Sequence, residues 1–148
     1  MVTGPAARVA GPADWPEIIA LRTRVFVEEQ GVPAEIEQDD RDATAVHVHA
    51  RDEAGRVVAT GRLLLPADGS TTASLGRMAA DPGVRGRGFG AAVLAELHEQ
   101  ARLRGVAAIE LHAQLPARGF YERAGYTAVG EEYLEAGIAH VTMRRELT

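Results

Sequence analysis

The sequence predicts a mixed α/β (α+β) domain, a central sheet with helices packed on it and one β-α-β unit in its middle. Three observations carry this. Six β-type runs are separated by Gly, Pro and Asp turn signals. Several segments instead repeat their apolar residues at helical spacing. In order the elements read helix, a doubtful short helix, three strands, helix, strand, helix and two strands. The helix between the third and fourth strands makes those two parallel through a right-handed crossover. The early strands read as an antiparallel meander.

The first helix opens at Asp14, which pairs with Glu17 as a capping box, with Pro16 in the first turn. Trp15, Ile18, Ile19, Arg22, Val25 and Phe26 then recur at helical spacing. Residues 28–42 are acidic, and Gly31 and Pro33 limit them to loop with a short helix. Strands follow at 45–50 and 57–65, turning at Asp52 and Gly55, and at 72–79, broken by Asp81-Pro82-Gly83. A helix over 88–104 buries Leu94, Leu97 and Ala101 and stops at Gly105. The remainder reads as a strand at 106–113, a helix at 115–124 ending at Gly125, and strands at 126–132 and 139–144.

At 148 residues, 46% hydrophobic and 25% charged, the chain has the composition of one folded domain over 1–148, and wholesale disorder is excluded. The absence of cysteine removes disulfides, thiolate nucleophiles and cysteine-ligated metals. The net charge of −5 argues against nucleic acid as a partner. No apolar run approaches the roughly 18 residues of a membrane span, and no secretory-type stretch opens the chain, so no membrane partner and a cytoplasmic location are expected. The five histidines, at 47, 49, 98, 112 and 140, lack metal-ligand spacing, and no metal site is expected.

The chemistry concentrates in Leu75-Gly76-Arg77-Met78-Ala79-Ala80-Asp81-Pro82-Gly83-Val84-Arg85-Gly86-Arg87-Gly88-Phe89-Gly90, which runs strand, turn, basic glycine loop, helix. Gly86, Gly88 and Gly90 bare the backbone N–H groups, the helix start adds unpaired donors and its positive dipole end, and Arg85 and Arg87 add charge. Together they describe a phosphate or pyrophosphate site. Gly86, Gly88 and Ala91 also spell G-x-G-x-x-A, with Glu110 in the next strand, as in a dinucleotide fold. Against that, the glycines sit well past the strand end, arginines fill between them, and only one β-α-β unit is present.

The loop Arg85-Gly86-Arg87-Gly88-Phe89-Gly90 resembles the R-x-x-G-x-G acetyl-coenzyme A loop of the GNAT N-acyltransferase superfamily. Ala117-Arg118-Gly119-Phe120-Tyr121-Glu122-Arg123-Ala124-Gly125-Tyr126 resembles that family's A-x-x-F-Y-x-x-x-G-F segment, with tyrosine at its end. A narrower resemblance, to the small bacterial ElaA-like acyltransferases of unsettled substrate, rests on residues 21–30, 42–47, 111–114 and 137–143. The resemblance implies a mixed, mostly antiparallel sheet of six to seven strands flanked by helices on both faces. It also implies acetyl-CoA as co-substrate and a primary amine on a small molecule or peptide as acceptor, and it leaves a homodimer open.

The resemblance also assigns roles. Met78, Ala79 and Ala80 belong to the strand that offers backbone N–H groups to the thioester, and Arg85, Gly86, Arg87, Gly88, Phe89 and Gly90 to the pyrophosphate loop. Tyr121 takes the place of the tyrosine that protonates, or hydrogen-bonds to, the departing sulfur. For the base, strand alternation puts Glu110, His112 and Gln114 on one face, and either Glu110 or His112 could take the amine proton. Glu28, Gln30, His47, Gln114 and His140 are candidates for the acceptor side. The acidic segment reads either as a solvated loop or as an attractor for a cationic amine such as a polyamine, an amino sugar or a lysine. Two other functions stay open: a non-catalytic acyl-CoA-binding module of the same fold, and a small NAD(P)-binding oxidoreductase domain.

Overall fold

The computed structural model describes residues 5–147. The alternating runs become β1 (Ala7–Val9), β2 (Val46–Arg51), β3 (Val57–Leu64), β4 (Thr72–Ala80), β5 (Ala108–Gln114), β6 (Thr127–Glu135) and β7 (Ile138–Glu146). They form one sheet in the order β1-β2-β3-β4-β5-β7-β6. Every pairing is antiparallel except β4 with β5, the pair joined by the predicted crossover. The sheet is therefore the mixed, mostly antiparallel one expected. The pattern reading missed β1, because three residues are too few to show alternation.

Helices α1 (Trp15–Arg22), α3 (Phe89–Leu103) and α4 (Arg118–Arg123) pack on this sheet, and the short α2 (Ala34–Glu37) packs against residues 23–29. Ala59, Leu63, Ala73, Leu75, Ile109, Leu111, Val141 and Met143 point to one face and bury against Val93, Leu94, Leu97 and Ala101 of α3 and against Tyr121 and Tyr126. On the other face, α1 and its continuation bring Ile18, Leu21, Val25 and Phe26 onto Val57 and Ala79. The continuation, Thr23–Glu29, is π-helical.

The capping box predicted at Asp14 does not form on α1, and Asp14 makes no side-chain cap to that helix. Its carboxylate accepts instead from the Gly11 N–H at 2.9 Å and from Arg51 at 2.8 Å, because a short 3-10 turn, Pro12–Asp14, precedes the helix and takes the cap.

The second face is thus covered over only half its width. Where β5, β7 and β6 carry it, the side chains are polar: Glu110, His112, Gln114, His140 and Arg144. That explains a polar stripe on a strand lying mid-sheet, which a sheet covered on both faces would not tolerate.

Candidate active site

Parallel strands β4 and β5 stay together only from Thr72↔Ala108 to Leu75↔Leu111. Beyond that pair they part. Residues 76–80 of β4 then have no partner on the β5 side, while β5 continues to pair with β7 through Gln114↔His140. The irregularity that turns β4 away is local. Its register with β3 shifts between Thr60 and Arg62, and Arg77 sits in the left-handed region at φ 52°. A non-glycine residue there costs about 1–2 kcal/mol. The Arg77 side chain is pinned by Nε to the Glu37 carbonyl at 2.9 Å and Nη2 to the Ile36 carbonyl at 3.2 Å, which holds the bulge against that strain.

The gap opens into a cleft of about 870 Å³, the size of a small-molecule site. Met78, Ala79 and Ala80 line it from β4, and Tyr121 lines it from α4. Tyr121 is almost wholly buried, edge-on to Phe120 and to Tyr126, and its hydroxyl makes no hydrogen bond among the described residues. Burial pushes the phenol above its ordinary pKa, so it stays protonated at any physiological pH.

At the mouth lies the glycine loop. Gly86 and Gly88 adopt φ 81° and 88°, and Gly88 caps α3, whose first N–H groups therefore open onto the loop. Gly90 stands against the Phe120 ring, where an added Cβ would lie 3.7 Å from Cζ, so the loop and the Phe-Tyr segment touch. The two arginines differ. Arg85 is held bidentately by Glu29 at 2.7 Å through each terminal nitrogen, and its Nε bonds the Ala80 carbonyl at 3.0 Å. Arg87 is exposed and forms no side-chain hydrogen bond or ion pair among the described residues.

The acetyltransferase (GNAT) domain family matches residues 15–147 of the sequence. The chain belongs to the GNAT acetyltransferase family. It is 34% identical over 127 residues to the uncharacterized N-acetyltransferase YjcF of Bacillus subtilis, covering 85% of this chain and 88% of that one. Among solved structures it superposes on Escherichia coli ElaA with a TM-score of 0.84 at 25% identity, covering 96% and 99% of the two chains. On an acyl-CoA N-acyltransferase from Pseudomonas aeruginosa the TM-score is 0.82 at 32% identity, with the same coverage.

Within this GNAT frame the candidate acceptor residues separate. Glu110, His112, Gln114, Gln30 and His140 all line the cleft. Gln114 Nε2 bonds Gln30 Oε1 at 2.8 Å, joining β5 to the end of the π-helical turn. Glu110 is paired with Arg144 at 2.8 Å, opposite Ser74 and below the point where the strands part. His112, opposite no β4 partner, holds Glu135 at 2.8 Å through Nδ1. Glu28 and His47 do not line the cleft. Glu28 is exposed on the outer side of its turn, and His47 packs edge-on to Trp15 with Nε2 on the Asp42 carbonyl at 2.9 Å.

The acidic segment is divided: Glu28, Glu29, Glu35 and Asp40 are exposed, as in a solvated loop, whereas Glu37, Asp39 and Asp42 are paired with arginines. Arg22, only 1% exposed, binds Glu37 and Asp42. Arg62 binds Asp39 and Asp42, and Arg77 reaches Asp39 at 3.4 Å. Sequence reading missed this because the three arginines lie on three different elements. The only hint was Arg22 within the apolar stripe of the first helix.

Proposed function

We propose that the chain is a cytoplasmic, acetyl-CoA-dependent N-acetyltransferase that passes the acetyl group to a primary amine by direct attack in a ternary complex. The observation that carries this is the two-sided gap between β4 and β5. Tyr121 reaches it from the face covered by α3 and α4, and the polar side chains of β5 reach it from the open face. A thioester seated between them has its sulfur beside a proton donor and its carbonyl accessible to an amine from the opposite side.

Each part of the chain then has a task. Residues 76–80 of β4, unpaired toward β5, offer backbone N–H groups to the charge that grows on the carbonyl oxygen. The glycine loop, the start of α3 and Arg87 hold the pyrophosphate. Tyr121 donates to the sulfur as it leaves, and the same apolar surroundings make the thiolate more basic and readier to accept. Most of the rate enhancement expected of such a site is positional.

Two arrangements speak against a dinucleotide site. The 3-10 turn Pro82–Val84 separates the end of β4 from the glycines, and among the described residues the sheet contains one parallel pair. Calorimetric titration tests the proposal, with coenzyme A, NAD and NADP beside acetyl-CoA. Roughly micromolar acetyl-CoA binding is expected, weakened about tenfold by Arg87→Ala, since one charge-assisted contact is lost. Heat from NAD or NADP with none from acetyl-CoA would overturn it. With binding in hand, an amine panel opening with polyamines and amino sugars separates an enzyme from a silent acyl-CoA binder.

A further inference from the structure

We infer that Glu135 orients His112 so that its Nε2 accepts the proton of the attacking amine, a role that rests on the acetyltransferase reading above. Three observations converge on this. First, Leu75↔Leu111 is the last β4–β5 pair, so His112 is the first residue of β5 beyond the point of parting, and its side chain lines the cleft. Glu110, the other polar candidate, lies within the paired part and already holds Arg144. Second, a carboxylate can only accept, so the 2.8 Å contact between Glu135 Oε1 and His112 Nδ1 puts the ring hydrogen on Nδ1. The lone pair of the neutral ring is then on Nε2, which makes no hydrogen bond among the described residues, on a side chain 55% exposed. Third, the Glu135 carboxylate lies between two imidazoles. His140 donates Nδ1–H to the Ile138 carbonyl at 2.7 Å and turns Nε2 toward Glu135 Oε2 at 3.7 Å.

The backbone secures this carboxylate. Glu135 opposes Ile138 across a two-residue hairpin turn, Ala136-Gly137, with φ of 52° and 76°. A left-handed alanine is costly, so the turn is a site of strain at the rim of the cleft. Tyr133 stands edge-on to the His112 ring at 5.7 Å, which fixes the ring plane.

The proton count closes. As the amine nitrogen bonds to the carbonyl carbon, its proton passes to His112 Nε2 and the imidazolium is balanced by Glu135. The C–S bond breaks and Tyr121 supplies a proton to the sulfur. Nε2 then loses its proton to solvent and the phenol regains one, so no net charge accumulates.

Nitrogen-15 NMR of histidine-labelled protein reads the arrangement directly, with the His112 signal assigned by its loss in His112→Asn. The wild type is expected to show neutral His112 as the Nδ1–H tautomer, and Glu135→Ala the Nε2–H form that predominates in free histidine. On an amine that the wild type acetylates, Glu135→Ala should lower kcat about 10- to 100-fold. Acetyl-CoA affinity should stay within about twofold by calorimetry. Glu135→Gln keeps an acceptor but no charge. With its amide oxygen still able to accept from Nδ1–H, it should keep the Nδ1–H tautomer and lose less kcat than Glu135→Ala. An Nε2–H tautomer in the wild type, or undiminished kcat in Glu135→Ala, overturns the assignment. Wild-type protein that binds no acetyl-CoA overturns the acetyltransferase reading and the catalytic role with it, while the tautomer still decides the pairing.

Discussion

Tyr121 shows how one residue's chemistry follows from its surroundings. Its ring is packed on Phe120 and Tyr126, so Tyr121→Phe removes an oxygen and leaves the packing in place. The hydroxyl gives up no hydrogen bond in that change, so stability should stay within about 0.5 kcal/mol. Activity should not. Loss of a positioned proton donor predicts a fall in kcat of about 100-fold with acetyl-CoA affinity unchanged, read by steady-state kinetics beside calorimetry. A variant with wild-type kcat would remove Tyr121 from the chemistry. Tyr121, the glycine loop and the stripe Glu110, His112, Gln114 were legible in the sequence because each is a local pattern, a spacing along one strand or one turn. Glu135 was not, because its meeting with His112 depends on how β6, β7 and β5 align. Glu28 and His47 lie off the cleft for the reverse reason: likeness to a motif carries a residue type but not the direction of its side chain.

At the scale of elements, the packing of α3 on the sheet sets the shape of the gap. Gly61 of β3 lies directly beneath α3, where an added Cβ would stand 2.5 Å from Met78 Sδ, 2.8 Å from Leu97 Cδ1 and 3.1 Å from Val93 Cγ1. No single rotation relieves all three contacts. Gly61→Ala is therefore expected to destabilise by about 1–2 kcal/mol in chemical denaturation, despite the usual gain of a glycine-to-alanine change in a strand. Met78→Ala in the same chain should recover part of that loss, a coupling that a double-mutant cycle isolates. Additive effects would show that α3 simply moves away. The sequence revealed α3 and its stop at Gly105 through their period and their glycine. It could not reveal the β4 bulge, because Arg77 adopts a conformation its residue type disfavours and is held there by carbonyls of α2.

Across the whole molecule, two buried ionisable groups set the response to acid. His98 on α3 is buried between Tyr126, whose hydroxyl its Nε2 contacts at 2.8 Å, and Arg145, which reaches its Nδ1 at 2.9 Å. Burial, and then the charges of Arg145 and Arg102, lower its pKa from 6.5 to about 4. The folded state thus refuses a proton that the unfolded chain accepts, and stability falls as pH drops from about 6.5 to about 4. Asp42 acts lower on the scale. Burial by itself would raise its pKa, but hydrogen bonds from Arg22, Arg62 and the Asp39 N–H outweigh it and hold the carboxyl at about 2. Its contribution is full above the unfolded value near 3.8 and is lost as pH falls through about 2, amounting to about 2 kcal/mol. Urea denaturation at intervals from pH 7 to pH 2 should therefore show two successive losses. His98→Gln should abolish the first and leave the second. Asp42→Asn should flatten the second, at a cost of about 3 kcal/mol at neutral pH, because two buried guanidinium groups lose a shared partner. The second loss also reaches the site. Asp42 and its arginines tie the end of α1 and the acidic segment to β3, so acetyl-CoA binding should weaken over that same lower range and not over the first. Binding that survived protonation of Asp42 would mean that the cleft keeps its shape without this buried network.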